Sequence, residues 1–217
     1  MRVSATALFL IGAASAFYCG QAAAKPAVTT NYVYYKVSGE SAIDIYSSML
    51  SRGPHVNGAK AYAATLAESS QSGKLEQKGL CRVRDYQFAM KFTIRLPRIA
   101  DQESLTPKVS ARWQQFTQFL KKHEETHRAI WVGCARDIEN QINALRAKSC
   151  DEIDRRAQQI VDRVQNACNR KHAAFDAAEQ KRLSKHPFVK MVIARVQQSA
   201  MAVTKRKKKR SVSTNFN

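Results

Sequence analysis

The longest patterned stretch of the sequence spans residues 107–148, where apolar side chains recur at steps of three and four residues. That period places them on one face of an α-helix, so the pattern predicts one helix over this range or two helices joined by a bend. Thr106 followed by Pro107 is typical of a helix N-cap and first turn. So long a face has to pack against other elements of the fold. Its members are Trp113, Phe116, Leu120, His123, His127, Ile130, Cys134, Ile138, Ile142 and Leu145.

This helix carries an H-E-x-x-H motif, formed by His123, Glu124 and His127. Residues four apart share a helix face, so the two imidazoles can bind one zinc ion, and Glu124 beside them can take a proton from a zinc-bound water. The motif predicts a zinc-dependent peptidase acting on a peptide or protein substrate, with His123 and His127 as zinc ligands and Glu124 as the catalytic base. The alternative is a solvated polar helix that carries two histidines by chance.

A second helix is predicted to begin where residues 149–152 fit a capping box. It is expected to run to about Lys185, because Pro187 interrupts the pattern there, and a further apolar helical stretch covers residues 188–201. Since the connection between the first two helices is short, they are expected to form an antiparallel hairpin.

The register of this hairpin predicts two disulfide bonds. If the turn is centred near residue 151, Cys134 faces Cys168 across the two helices, which leaves Cys81 to pair with Cys150. An even number of cysteines fits a chain that folds in an oxidising compartment.

The same register predicts which residue of the second helix supplies the third zinc ligand. It places Glu179 level with His123, so Glu179 is the first candidate. Asp176 lies at the right height but farther round the helix, and His172 lies some turns early, so they follow in that order. His186 reaches the site only if the chain folds back there. Alternatively, Glu179 and Asp176 are ordinary solvated side chains of the helix.

The first half of the chain predicts strands. Residues 86–96 alternate apolar and polar side chains, and the opposite parity of Cys81 and Val83 predicts a bulge or turn near Asp85. Pro97 is expected to end this strand. The predicted fold class is α+β: a small antiparallel sheet with one short helix (β-rich over 30–97), followed by the long helical hairpin (α-helical over 106–203). The other predicted elements are strands over 30–37 and 61–66 and a helix over 42–50.

The N-terminus predicts export. Arg2 precedes an apolar run at residues 3–16, and an Ala-x-Ala site places signal-peptide cleavage after Ala24, with Ala16 as a weaker second choice. Residues 1–24 are therefore predicted to be a signal peptide, and residues 25–203 a single zincin-like domain. No later stretch has the pattern of a transmembrane segment. The expected location is periplasmic or secreted.

The charge of the chain favours an anionic partner. The formal net charge is +19, and residues 205–210 are all lysine or arginine. Behind a signal peptide the expected partners are anionic cell-envelope polymers or lipid head groups. Nucleic acid is not expected unless the export signal is non-functional. Residues 204–217 are predicted to form a basic, disordered tail.

The sequence resembles a bacterial family of predicted secreted zinc-dependent proteases, known as domain of unknown function 922. The resemblance covers residues 31–186 and depends mainly on the H-E-x-x-H motif. It implies an exported metallopeptidase and does not name a substrate. The supporting positions are the first Tyr/Val-rich strand, Gly53, Pro54, Gly58, Cys81, Leu96, Pro97, Trp113, Leu120 and Cys150.

The chain departs from the family at one informative place. The family pattern ends in Tyr-Asp-x-x-Thr-x-His-Gly, whose histidine is the natural third zinc ligand. Here Asp176 is retained, but Glu179 stands at the threonine position and Lys181 at the histidine position, and a protonated lysine does not bind zinc. Either Glu179, Asp176 or His186 completes the site, or this member is a catalytically inactive envelope protein that binds anionic polymers or lipids.

Overall fold

The computed structural model describes residues 27–56 and 58–213, with side chains as far as residue 205. Helices and strands are both present, which confirms the α+β class. The predicted signal peptide with both cleavage sites, and residues 214–217, lie outside the described residues. The elements are β1 (Ala27–Val37), α1 (Ala42–Arg52), β2 (His55–Val56), β3 (Ala59–Lys60), β4 (Ala64–Lys78), β5 (Leu80–Ile99), α2 (Pro107–Asn143), β6 (Arg146–Ala147), α3 (Cys150–Leu183) and α4 (Pro187–Ser213).

The main sheet has β5 at its centre, in the order β1-β5-β4, with the short β6 also paired to β5. β4 and β6 run antiparallel to β5, but β1 runs parallel to it. The prediction of an antiparallel sheet is therefore wrong for β1. A parallel pair needs a long crossover connection, and α1 together with β2, β3 and β4 forms that connection between β1 and β5.

β5 follows its predicted alternation. Met90, Phe92, Ile94 and Leu96 are all buried. The predicted bulge is also present, because Asp85 has a positive φ of 52° and the β4–β5 register shifts between Ser72 and Lys74. The inward parity changes across that bulge, so Cys81 and Val83 are buried as well.

The expectation that Pro97 ends β5 is wrong. The strand continues to Ile99, and Pro97 is opposite Tyr35 of β1. The β4 pairing begins at Ala64 opposite Arg95, so β4 does not extend to Pro97. A proline is tolerated at a position that has a strand neighbour on one side only.

α2 and α3 form the predicted helical hairpin, and both predicted disulfides are confirmed. Cys134 is bonded to Cys168 across the two helices, and Cys81 is bonded to Cys150, which joins β5 to the start of α3. The Ser149 side chain caps α3 by accepting from the backbone N–H of Glu152. These two bonds attach α3 to α2 and to β5.

Two helix boundaries differ from the predictions. α2 ends at Asn143, a few residues earlier than expected, because the chain leaves the helix to add β6 to the edge of β5. α4 continues to Ser213, so residues 204–213 are helical and the prediction of disorder is wrong for them. No helix in the described part of the chain combines the length and the apolar character needed to cross a membrane.

Polar side chains of α2 fix the helix against the sheet. Glu139 is almost fully buried, and its Oε1 accepts a hydrogen bond from the backbone N–H of Phe88 on β5. The Asn143 side chain accepts from the N–H of Tyr86 at 3.0 Å and donates to the carbonyl oxygen of Tyr86 at 2.7 Å. The helix is thereby held to β5 beside the bulge, and its position along the strand is set.

The first half of α2 packs in the main hydrophobic core. Phe116 is fully buried between Trp113 and the first turn of α4, where its ring stacks on Phe188 at a centroid distance of 4.9 Å. α1 and the sheet close the same core through Ile45 and Ile94, which are also fully buried. This core fixes the end of α2 that leads into the H-E-x-x-H motif.

Replacing Phe116 with alanine should lower the free energy of unfolding by about 3–5 kcal/mol, because it removes a buried aromatic ring and leaves a cavity. Urea unfolding followed by circular dichroism measures the change. Met201→Ala is the matched control, since that side chain is 63% exposed on α4 and its loss should change stability by less than about 0.5 kcal/mol. Equal effects of the two substitutions would contradict this description of the core.

Candidate metal centre

Three side chains of the helical hairpin converge on one point. The Nε2 atoms of His123 and His127, on successive turns of α2, are 3.1 Å apart. Oδ1 of Asp176, from α3, lies 2.9 Å from His127 Nε2 and 3.5 Å from His123 Nε2. The pairing of α2 with α3 thus brings together donor atoms that are distant in sequence.

The spacing of these three atoms fits a zinc ion. A tetrahedral zinc with ligand bonds of about 2.0–2.1 Å requires its ligand atoms to be roughly 3.3 Å apart. The three measured separations lie close to that value, and two imidazoles with one carboxylate are a donor set typical of catalytic zinc. In the described residues these three form a cluster able to hold a metal.

Both imidazoles are in the form that binds a metal. Burial lowers the pKa of His123 below its ordinary value, although the charges of Asp176 and Glu179 act in the opposite direction. Burial also lowers the pKa of His127, again against the charge of Asp176. Both rings are therefore neutral near pH 7, and neutral imidazole is the state that can donate a lone pair to zinc.

Glu124 lies beside this cluster and is held by the sheet. Its side chain is buried, and the hydroxyl of Thr65 on β4 donates a hydrogen bond to its Oε2 at 2.8 Å. Burial raises the pKa of Glu124 to about 7, while the hydrogen bond from Thr65 acts to lower it. A carboxyl group whose pKa lies near neutrality is suited to accept and return a proton at physiological pH.

Glu179, the first candidate for the third ligand, occupies a different position from the three converging atoms. Its Oε2 lies 3.8 Å from Nδ1 of His123, the ring nitrogen opposite to Nε2. Its Oε1 accepts a hydrogen bond from Arg182, and its side chain is only 9% exposed, compared with 55% for Asp176. The prediction of Glu179 as a ligand stays a prediction, while the geometry favours Asp176.

The structure places His172 beside the site and His186 away from it. His172 lies next to the site, with its Nδ1 atom 2.7 Å from Nδ1 of His127. His186 packs instead on the rings of Phe116 and Phe119 in the main core, and its Nδ1 accepts from the N–H of Phe188. The chain does not fold back to bring His186 to the site.

Two residues around the site were not assigned a role from the sequence. Thr65 holds Glu124 from the sheet, and no local signal in the sequence pairs β4 with this part of α2. Phe175 stacks on the ring of His123 at 4.9 Å and meets His127 edge-on at 5.1 Å. The hairpin register that sets Glu179 level with His123 also sets Phe175 level with His127, so the sequence predicts this contact but not its packing role.

The comparisons with known proteins identify a family and no activity. A family model described as a bacterial protein of unknown function (DUF922) matches residues 32–185. No curated protein and no solved structure matches the chain significantly. The matched region contains all of the residues that form the candidate site.

Zinc affinity should distinguish Asp176 from Glu179. Loss of a residue that only orients a ligand typically weakens metal binding by roughly 10–100-fold. Glu179→Gln should weaken zinc binding by no more than this, whereas Asp176→Asn should weaken it by more. Competition with a chromophoric chelator measures both dissociation constants. If Glu179→Gln were the more damaging change, the ligand predicted from the sequence would be the right one.

Proposed function

Because the chain belongs to the DUF922 family of bacterial proteins, whose function is unknown, we propose a function from the site itself: it is a zinc-dependent metallopeptidase. The observation that carries the proposal is the convergence of His123, His127 and Asp176 beside a buried Glu124. Three protein ligands leave one position for water or substrate, which is the arrangement of a catalytic zinc site rather than a structural one.

Each residue of the site has a distinct role in the proposed reaction. His123, His127 and Asp176 would hold the metal, which would polarise a substrate carbonyl and lower the pKa of water. Glu124 accepts the proton of the attacking water and transfers it to the departing amine, as the peptide C–N bond breaks. Thr65 keeps the Glu124 carboxylate in place for both transfers by its hydrogen bond to Oε2.

The sheet supports a peptide as the substrate. β4 is an edge strand, paired with β5 on one side, and no described residue pairs with its other edge. The strand includes Thr65, whose side chain contacts Glu124, so an extended chain added to this edge would lie next to the base. Backbone hydrogen bonds to a free edge bind extended peptides with little dependence on their side chains.

Export of the protein is supported by its cysteines. The two disulfide bonds join cysteines that are 69 and 34 residues apart, and such bonds persist in oxidising compartments. We therefore infer a periplasmic or secreted enzyme, in agreement with the N-terminal sequence.

The lysine at the family's histidine position does not by itself argue against activity. Lys181 is exposed on α3, and the distances of Asp176 from both Nε2 atoms support it as the third ligand. On this proposal the site does not need the missing histidine.

Glu124→Gln should retain zinc and lose hydrolysis, because the amide keeps the shape of the side chain but cannot accept the proton. The loss should be on the order of 10²–10⁴-fold. Release of fluorescence from dye-quenched casein measures activity, and elemental analysis of the same samples measures zinc.

Glu125→Gln is the matched control, since it removes the same charge one residue away, from a side chain that accepts a hydrogen bond from Tyr32. It should leave both readings near the parental values. Parental activity in Glu124→Gln would refute the assigned mechanism.

A second candidate function, binding to the surface of an anionic lipid bilayer, is supported by α4. From Ile193 to Lys205 this helix is exposed, and Ile193, Val196, Ala200 and Val203 recur at helical spacing along one face. The chain contains no aspartate or glutamate after Glu179, so every charged side chain of this helix is basic. An apolar face on a basic helix favours a bilayer interface over a polymer, because only the bilayer can bury the apolar side chains.

Exchanging Ile193 and Val196 for serine should weaken binding to vesicles of phosphatidylcholine and phosphatidylglycerol by roughly tenfold or more, because each buried CH₂ contributes about 0.8 kcal/mol. Co-sedimentation measures the bound fraction. The matched control exchanges the neighbouring Gln197 and Gln198 for serine, which removes no apolar surface and should not change binding. Equal binding by the two variants would rule out insertion of this face.

A further inference from the structure

His127 has a partner on the side of its ring that faces away from the converging ligand atoms. Nδ1 of His172 lies 2.7 Å from Nδ1 of His127. The ring centroids are 5.0 Å apart, and the ring planes differ by 21°. This centroid distance equals the N–N contact plus the distance from the centroid to the nitrogen in each of the two rings. The two nitrogens therefore lie on the line between the centroids, as in a linear, in-plane N–H···N hydrogen bond.

This contact fits the protonation of His127 that a metal bound at its Nε2 atom would require. Nε2 of His127 points to Asp176 and His123, so it needs a free lone pair to bind a metal. The proton is then on Nδ1, and Nδ1 of His172 accepts the hydrogen bond. A neutral imidazole has one donor and one acceptor nitrogen, so the proton of His172 is on Nε2.

His172 is partly buried, and one face of its ring is covered. The indole of Trp131 packs on its ring at a centroid distance of 4.8 Å, and its Nε2 atom is buried without a hydrogen-bond partner in the described part of the chain. The Cys134–Cys168 disulfide lies about one helical turn from Trp131 on α2 and from His172 on α3. The covalent bond therefore fixes the two helices beside the histidine pair.

We propose that His172 is a positioning residue, which fixes the ring orientation of His127 in the zinc-bound site by accepting a hydrogen bond from its Nδ1–H. The proposal rests on the proposed function only in taking His127 as a zinc ligand. His123 has a separate partner, since its Nδ1 faces Glu179. Each imidazole of the motif is thus oriented by its own residue of α3, one by a carboxylate and the other by a neutral imidazole.

Two substitutions of His172 test this role. His172→Phe keeps a ring against Trp131 but removes the acceptor, whereas His172→Asn places an amide oxygen close to the position of Nδ1. In the zinc-loaded protein, ¹⁵N NMR of the His127 ring should show a downfield, slowly exchanging Nδ1–H proton in the parental protein and in His172→Asn, and a faster-exchanging Nδ1–H in His172→Phe. Zinc affinity should fall roughly 10–100-fold in His172→Phe and be largely restored in His172→Asn.

Each other result would overturn the proposal. An unchanged Nδ1–H signal of His127 and unchanged zinc affinity in His172→Phe would show that the contact has no effect on His127. If His172→Asn lowered the zinc affinity as much as His172→Phe, the hydrogen bond would not be the cause of that loss. If His172→Phe lowered the zinc affinity as much as Asp176→Asn, His172 would be a zinc ligand rather than a positioning residue.

Failure of the proposed function is distinguishable from failure of this inference. If the parental protein binds zinc but hydrolyses no peptide, the metallopeptidase proposal fails, while the zinc affinity and the Nδ1–H signal of His127 still decide the role of His172. Urea unfolding of both variants shows whether either has lost the fold, and His172→Asn gives the answer if His172→Phe has.

Discussion

The pairing of α2 with α3 is the constraint on which the candidate site depends. The ligand atoms of His123 and His127 belong to one helix, but the carboxylate that completes the cluster belongs to the other. The disulfide between Cys134 and Cys168 fixes how far the two helices can slide past each other, and it lies within three turns of every residue of the cluster. A slide of one residue would move Asp176 by about 1.5 Å, which is enough to break a tetrahedral arrangement.

The position of α2 on the sheet is a second, independent constraint, and it acts on the base rather than on the ligands. Glu139 and Asn143 bind backbone groups of β5 beside the bulge, and the Phe116 core holds the opposite end of the helix. Between these two fixed regions the sheet contacts Glu124 through Thr65, and the resulting burial raises the pKa of the carboxyl group to about 7. The geometry of the base therefore comes from the sheet, and that of the ligands from the hairpin.

The sequence predicted the features that depend on periodicity and on covalent reach. The helical repeat located both long helices, and the facing positions of Cys134 and Cys168 gave the correct disulfides. Periodicity gives the direction of Cα–Cβ bonds but not the reach of side chains, so it ranked Glu179 above Asp176, although Asp176 lies closer to the Nε2 atoms. The parallel pairing of β1, and the polar anchors of α2, had no local signal because both depend on contacts between distant parts of the chain.

The charges around the site explain why its two orienting residues differ. Glu179 faces His123 as a buried carboxylate, but Arg182 binds its other oxygen and offsets its charge. His172 faces His127 as a neutral ring, so it adds no charge at all. Asp176 is then the one carboxylate of the proposed ligand set, and a divalent cation held by it and two neutral imidazoles keeps a net positive charge. That residual charge is what an electrophilic metal site requires, and a carboxylate in place of His172 would reduce it.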